Sequence, residues 1–410
     1  MTRLSAAGRK KNQFRMRRRI NILLKERENN YSAKEIRWQI WAAKAFFFIG
    51  GFGAATWAPL VPLLRQKLEL TDDVLGMLLL CVGIGSLMTM PISGSAVAKW
   101  GCRRVLVATS VGYAIVLLIL SRVESLVLLV PMILCLGAMM GAIDVVVNVL
   151  AVMVERNAQK RVMSGMHAFW SIGGFAGAGI FSIWLNIGFS HFQSVVIAAI
   201  IIMLLLVIFF RHLLTSGGEK HEGSMLVMPK GIVVFIGLAA FISFLQEGAM
   251  MDWGGVLLVT LKGMDMSMAG VGFTIFSAAM LLMRLSGDWM VNRLGGQIVT
   301  CGGALLACFG ILLLVFAPYD WLLYSGFFLV GIGSANIVPV FFSMMGRQKE
   351  MPINQAVSAV STLGYLGILM GPAVIGFVAN STSLYVSFLL LAVLLFLQAG
   401  LAKYVYSKVL

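Results

Sequence analysis

The chain has 410 residues, of which 60% are hydrophobic and 12% charged, and its mean hydropathy is +0.92. About a quarter of the residues of a soluble globular domain are charged, so that class is excluded. A disordered chain and a nucleic-acid-binding protein are excluded on the same grounds, despite a net charge of +15.

A spanning helix needs roughly 20 apolar residues. Behind a basic tail over residues 1–37, the apolar runs predict twelve spans: 38–63, 73–98, 103–121, 125–154, 162–187, 191–211, 231–258, 268–291, 296–317, 321–345, 352–378 and 383–405. Each run is longer than a barrel strand requires and none alternates, so the spans read as helices. The tail segment 14–25 (FRMRRRINILLK) reads as an amphipathic helix on anionic lipid or as a solvated anchor. The first apolar run is too long for a cleavable signal. The polar connector 212–230 divides the chain into bundles at 38–211 and 231–410. The fold class is therefore an all-α polytopic membrane protein, twelve transmembrane helices in two six-helix bundles.

With the N-terminus in the cytoplasm, 26 Lys and Arg fall on the cytoplasmic side and 4 outside. This bias predicts an N-in, C-in chain. The positive charge thus reports orientation and a lipid bilayer, with no nucleic acid as partner.

The halves match at a near-constant offset. Trp57 pairs with Trp253, Lys99 and Gly101 with Arg293 and Gly295, Gly137 with Gly331, and Gly173 with Gly364. Duplicated bundles suit alternating access about a central site. The small-residue pairs Gly137/Gly141 and Gly173/Gly177, with Gly371 and Pro372, predict close helix contacts. Those on the fifth and eleventh helices are expected at the sliding surface between the halves.

The connector GSAVAKWGCRR resembles the loop signature of the major facilitator superfamily, G-x-x-x-D-R/K-x-G-R/K-R/K. Gly94, Lys99, Gly101, Arg103 and Arg104 fit, and Ala98 replaces the acid. DWMVNRLGG, with Asn292 at the acid position, is its degenerate copy. The resemblance implies the twelve-helix facilitator fold and a gating role for this loop. GAIDVVVN is similar to the E-x-x-x-N of the fucose–proton symporter branch. GMHAFWSIGGFAGAG, QEGAMMDW and GYLGILMGPAVIG resemble a bacterial inner-membrane group near that branch. That branch carries an acid on helix 1, which the stretch 46–60 lacks.

Ionisable groups within spans are functional candidates. They are Lys44, Asp144, His167, Glu247, Asp252, Arg284 and Asp288. Asp144 and Asn148 lie one turn apart on one helical face. A desolvated carboxyl can gain and release a proton near neutral pH, as a proton carrier must. The resemblance implies a like role in sugar and proton handling. His167, at similar depth, can partner Asp144 or bond solute hydroxyls. Arg284 is placed to pair with Glu247 across helices 7 and 8, and Asp252 lies nearer the outer end. Trp57 and Trp253 are expected either to line the cavity or to stand in the interfacial belt. Lys44 is expected to snorkel to the inner interface, and Asp288 to join the loop network.

No GxxxxGK[ST], HExxH or GxSxG is present, and the five cysteines form no CxxC pair. The expectation is a carrier and not an enzyme, without cofactor or metal. It moves a small sugar- or polyol-like solute with protons and acts as a monomer. The alternatives are an efflux carrier for amphipathic compounds and a membrane receptor or scaffold without turnover.

Overall fold

The computed structural model describes residues 31–218, 228–265 and 268–409. The tail segment 14–25, read as an amphipathic helix or a solvated anchor, and part of the connector lie outside them. Eleven helical stretches are long and apolar enough to cross a membrane. One of these, Val74–Leu120, has 47 residues, about twice the necessary length. It belongs to the run Asp72–Leu120, which reverses at Gly101, where φ is 81° and ψ is 158°. An L side chain is strained at that positive φ, and glycine is not. The run therefore counts as two spans, and among the described residues the total is twelve.

In chain order the helices are α1 (Ala33–Trp57), α2 (72–100), α3 (102–120), α4 (Leu126–Ala158), α5 (Met163–Asn186) and α6 (His191–Phe209). The second bundle has α7 (Ile232–Val256), α8 (Val271–Leu294), α9 (Gly296–Phe316), α10 (Asp320–Ser334, continued by Ile337–Met345), α11 (Ile353–Ser381) and α12 (Leu384–Val409). With twelve spans, both described chain ends lie on one face, here the terminal face, and the opposite one is the far face.

Local signals explain several boundaries. Ser32 opens α1 five residues before the predicted span, through a capping box with Glu35. Ser190 and Gln193 do the same for α6. At the far end, α1 stops at Ala58-Pro59 and a short helix, Leu60–Lys67, continues.

The internal repeat is visible in the backbone. Gly295, between α8 and α9, has φ 83° and ψ 147°, matching Gly101. The repeat also fixes which glycines correspond. Gly137 of α4 closes on the Val82 carbonyl of α2, and Gly331 of α10 on the Phe276 carbonyl of α8. Gly173 and Gly177 of α5 meet the carbonyls of Phe48 and Phe52 on α1. Gly367 and Gly371 of α11 meet those of Phe241 and Leu245 on α7. Gly173 therefore corresponds to Gly367, not to Gly364. These contacts also pack helices within each half, so the sliding surface expected of them lies elsewhere.

Candidate functional site

Between the bundles lies a cavity of about 170 Å³. α4 contributes Asp144 and Asn148, α5 His167 and Trp170, α7 Phe244 and Glu247, α8 Arg284, and α11 Ser361 and Tyr365. Five predicted residues from four helices and both halves thus come together. Apolar walls from Phe47, Met90, Met140, Val338 and Ile368 complete the space.

The polar groups divide into those that are partnered and those that are not. Arg284 is buried and committed: Nε donates to the Ala335 carbonyl at 3.2 Å, and Nη1 to Ser171 Oγ across the halves at 2.9 Å. Its Nη2 lies 3.9 Å from Glu247 Oε2, which places the expected α7–α8 pair at the edge of ion-pair distance. The Asn148 amide donates to the Asp144 backbone carbonyl at 2.9 Å, leaving Asn148 Oδ1 buried without a partner. His167 Nε2 and Ser361 Oγ are likewise buried and unbonded. The Asp144 carboxyl makes no hydrogen bond or ion pair to another described residue. No bond joins it to His167, whose ring packs against Phe47 and Phe342 at 5.0 and 5.9 Å. Unbonded buried polar groups are costly and call for a ligand, a proton or water.

Four of the residues singled out in the sequence do not line the cavity. Trp57 packs with Leu64, Leu75 and Ile133 toward the far face. Trp253 donates from Nε1 to the Pro372 carbonyl at 3.1 Å, pinning α7 to α11. Asp252 is exposed one residue before it and does not line the cavity. Lys44 stays within the protein, with Nζ 5.2 Å from both the Trp41 and Phe169 rings.

The terminal side of the cavity is shut. Among the described residues, the hydrogen bonds bridging the halves lie at the cavity's level or on its terminal side. Ser164 and Gly165, in the first turn of α5, donate their backbone N–H groups to Asp288 Oδ1 and Oδ2 of α8, each at 2.9 Å. The preceding two N–H groups, of Val162 and Met163, donate to Glu155 Oε2 of α4 at 2.9 and 3.1 Å. The orphan donors of the α5 N-terminus are thus satisfied half by its own bundle and half by the other. At the second contact, Asn354 Nδ2 of α11 donates to the Gly94 carbonyl of α2 at 2.9 Å, and Ser358 Oγ donates to the Met90 carbonyl.

The five loop-signature residues separate by task. Gly94 faces α11. Gly101 turns the chain and lies against the Thr215 carbonyl of the connector. Arg103 Nη2 donates to the carbonyls of Arg211 and Leu213 at 2.6 and 2.8 Å, and its Nε to Leu213 at 3.1 Å. The N–H groups of Cys102 and Arg103 bond the carbonyls of Ser216 and Leu214. Lys99 and Arg104 are exposed.

The chain matches the Major Facilitator Superfamily over residues 45–351. It belongs to that superfamily. An uncharacterised MFS-type transporter of Yersinia pestis is 43% identical over 357 residues, covering 87% of this chain and 93% of the relative. In fold it is similar to the human organic anion transporter MFSD10, with a TM-score of 0.73 at 14% identity over 90% of this chain and 99% of that one. It is equally similar to the Escherichia coli fucose:proton symporter FucP, with a TM-score of 0.73 at 15% identity over 89% and 98% of the two chains. At these identities the likeness concerns the fold. This facilitator is thus a multi-pass membrane transporter.

Proposed function

We propose that this facilitator is a secondary transporter of a small, hydroxylated, sugar- or polyol-like solute, coupled to protons and working by alternating access. One observation carries the reading. The central cavity presents four polar groups without protein partners, namely the Asp144 carboxyl, Asn148 Oδ1, His167 Nε2 and Ser361 Oγ. They are acceptors and donors suited to solute hydroxyls, between aromatic walls suited to a sugar face. Asp144 is the proton site. A carboxyl in the interior, with no cation bonded to it, is costly to keep ionised and discharges that cost by taking a proton. Glu247 and Arg284 form the second charged element, and separation of this long pair accompanies loading.

The positive-inside bias supports a cytoplasmic terminal face, so the described conformation is closed to the cytoplasm, in a bacterial inner membrane and as a monomer. The gating loop Gly94, Lys99, Gly101, Arg103 and Arg104 acts at that face. The domain division is a basic cytoplasmic tail, two bundles and the 212–230 connector between them. The largely apolar wall favours a second reading, export of amphipathic compounds. A receptor without turnover is the reading from another class.

The test is reconstitution in liposomes holding a pH-sensitive dye, with sugars, polyols and amphipathic drugs added in turn. The expected result is solute-dependent proton flux for a polyhydroxylated compound, abolished in Asp144→Asn. Flux untouched by that substitution removes Asp144 as the coupling residue. Flux with amphipathic drugs alone selects the export reading, and saturable binding without flux selects the receptor.

A further inference from the structure

We propose that the first bundle carries a binding site for an acidic phospholipid in the leaflet at the terminal face. Its acyl chain lies in a groove of α2, α3 and α4, and its phosphate rests between Lys99 and Arg104.

Two hollows meet at this place. The first, of about 380 Å³, is an apolar groove in the membrane-spanning surface, where Ile92, Ala96 and Ala108 form the walls. The second, of about 400 Å³, sits at its terminal end, between the α2–α3 turn and connector residues 215–218, and holds Lys99, Arg103 and Arg104. Trp100 and Arg104 line both. The pair therefore forms one amphiphile-shaped depression, greasy within the bilayer and cationic at its edge.

The groove opens away from the other half. Ile92, Trp100, Arg104 and Ala108 are exposed, whereas Met90 and Gly94, on the other face of α2, meet α11. Its exposed wall therefore faces lipid. An apolar groove there is filled by hydrocarbon, not water.

Charge selects the headgroup. No carboxylate lines either hollow, because Ala98 stands where the family signature has its acid. Arg103 is committed to connector carbonyls, but Arg104 makes no hydrogen bond or ion pair to another described residue. Lys99 Nζ is 5.3 Å from the Trp100 ring. Two cations without a carboxylate partner among the described residues, beside an interfacial tryptophan, match a phosphodiester at headgroup depth.

The experiment uses the purified full chain in detergent, titrated with phosphatidylglycerol or phosphatidylcholine brominated on the acyl chain, with tryptophan quenching as the readout. Subtracting Trp100→Phe isolates the Trp100 signal. The expected result is tighter quenching by phosphatidylglycerol. Lys99→Gln and Arg104→Gln should each weaken it about fivefold, since a basic residue near an anionic surface contributes about that factor. Ala108→Trp, which fills the groove and leaves the charge unchanged, should also weaken it. Glycerol phosphate and inorganic phosphate should not displace the lipid. Equal quenching by both lipids, indifference to Ala108→Trp, or displacement by either soluble phosphate each overturns the proposal. Unchanged melting temperatures in the variants separate lost binding from lost fold.

Discussion

The two contacts that shut the terminal side occupy equivalent places in the repeat and use different chemistry. At α5–α8 a carboxylate of one half accepts two backbone N–H groups of the other. At α2–α11 neutral side chains of the second half donate to backbone carbonyls of the first. The position matching Asp288 in the first half is Gly94, which has no side chain with which to reciprocate. Charge-assisted bonds are about twice as strong as neutral ones. Duplication thus kept the backbone frame, seen in Gly101 and Gly295, while the fastening became one-sided.

That asymmetry can be broken experimentally. Spin labels at Gln159 and Lys349 in a cysteine-free background report the separation of the two halves at the terminal face. Asp288→Asn should have the largest effect, because it removes a charge and the acceptor for one of two N–H donors. A loss of about 3 kcal/mol is expected from hydrogen bonds to charged groups, a shift of about a hundredfold toward the separated form. Asn354→Ala removes one neutral bond of about 1 kcal/mol, so the same distance distribution should shift about fivefold. Equal shifts in the two variants would end the distinction between the contacts. The turns supply a finer comparison. Ala at Gly101 or Gly295 meets the same positive φ, which costs roughly 1–2 kcal/mol, but only Gly101 also presses on the connector. Thermal unfolding should place Gly101→Ala below Gly295→Ala, and the reverse order would show that the connector contact contributes nothing.

The fold was legible because hydrocarbon imposes a length on every span and glycine marks the reversals. The polar heart of the cavity was legible for a related reason: ionisable side chains are rare within spans, so Asp144, His167, Glu247 and Arg284 stand out. Its walls were not. Phe47, Phe244 and Tyr365 have the composition of any apolar helix, and composition does not say which face of a helix meets lipid; Trp170 was marked only by following His167 closely. Trp57 and Trp253 mislead in the opposite sense, since their repeated placement reflects packing near the far face. Gly364 was a natural match for Gly173 because α11 offers glycines at 364, 367 and 371, and spacing alone does not choose among them. Asp288 was legible as a polar residue near the loop. Its partners were not, because backbone N–H groups leave no mark in a sequence.

The connector after α6 is held through its own carbonyls, at Arg211, Leu213, Leu214 and Ser216. Recognition of that kind is indifferent to side chains. Side chains restrict the segment as well: Leu213 and Leu214 are buried in the core, His212 stacks on Trp38, and Gly217 lies against the Val97 carbonyl. The first part of the tether is therefore fixed twice, through its carbonyls and through its buried side chains. A single residue added between 211 and 213 should lower the temperature of thermal unfolding, because one step puts the following carbonyls out of register with Cys102 and Arg103.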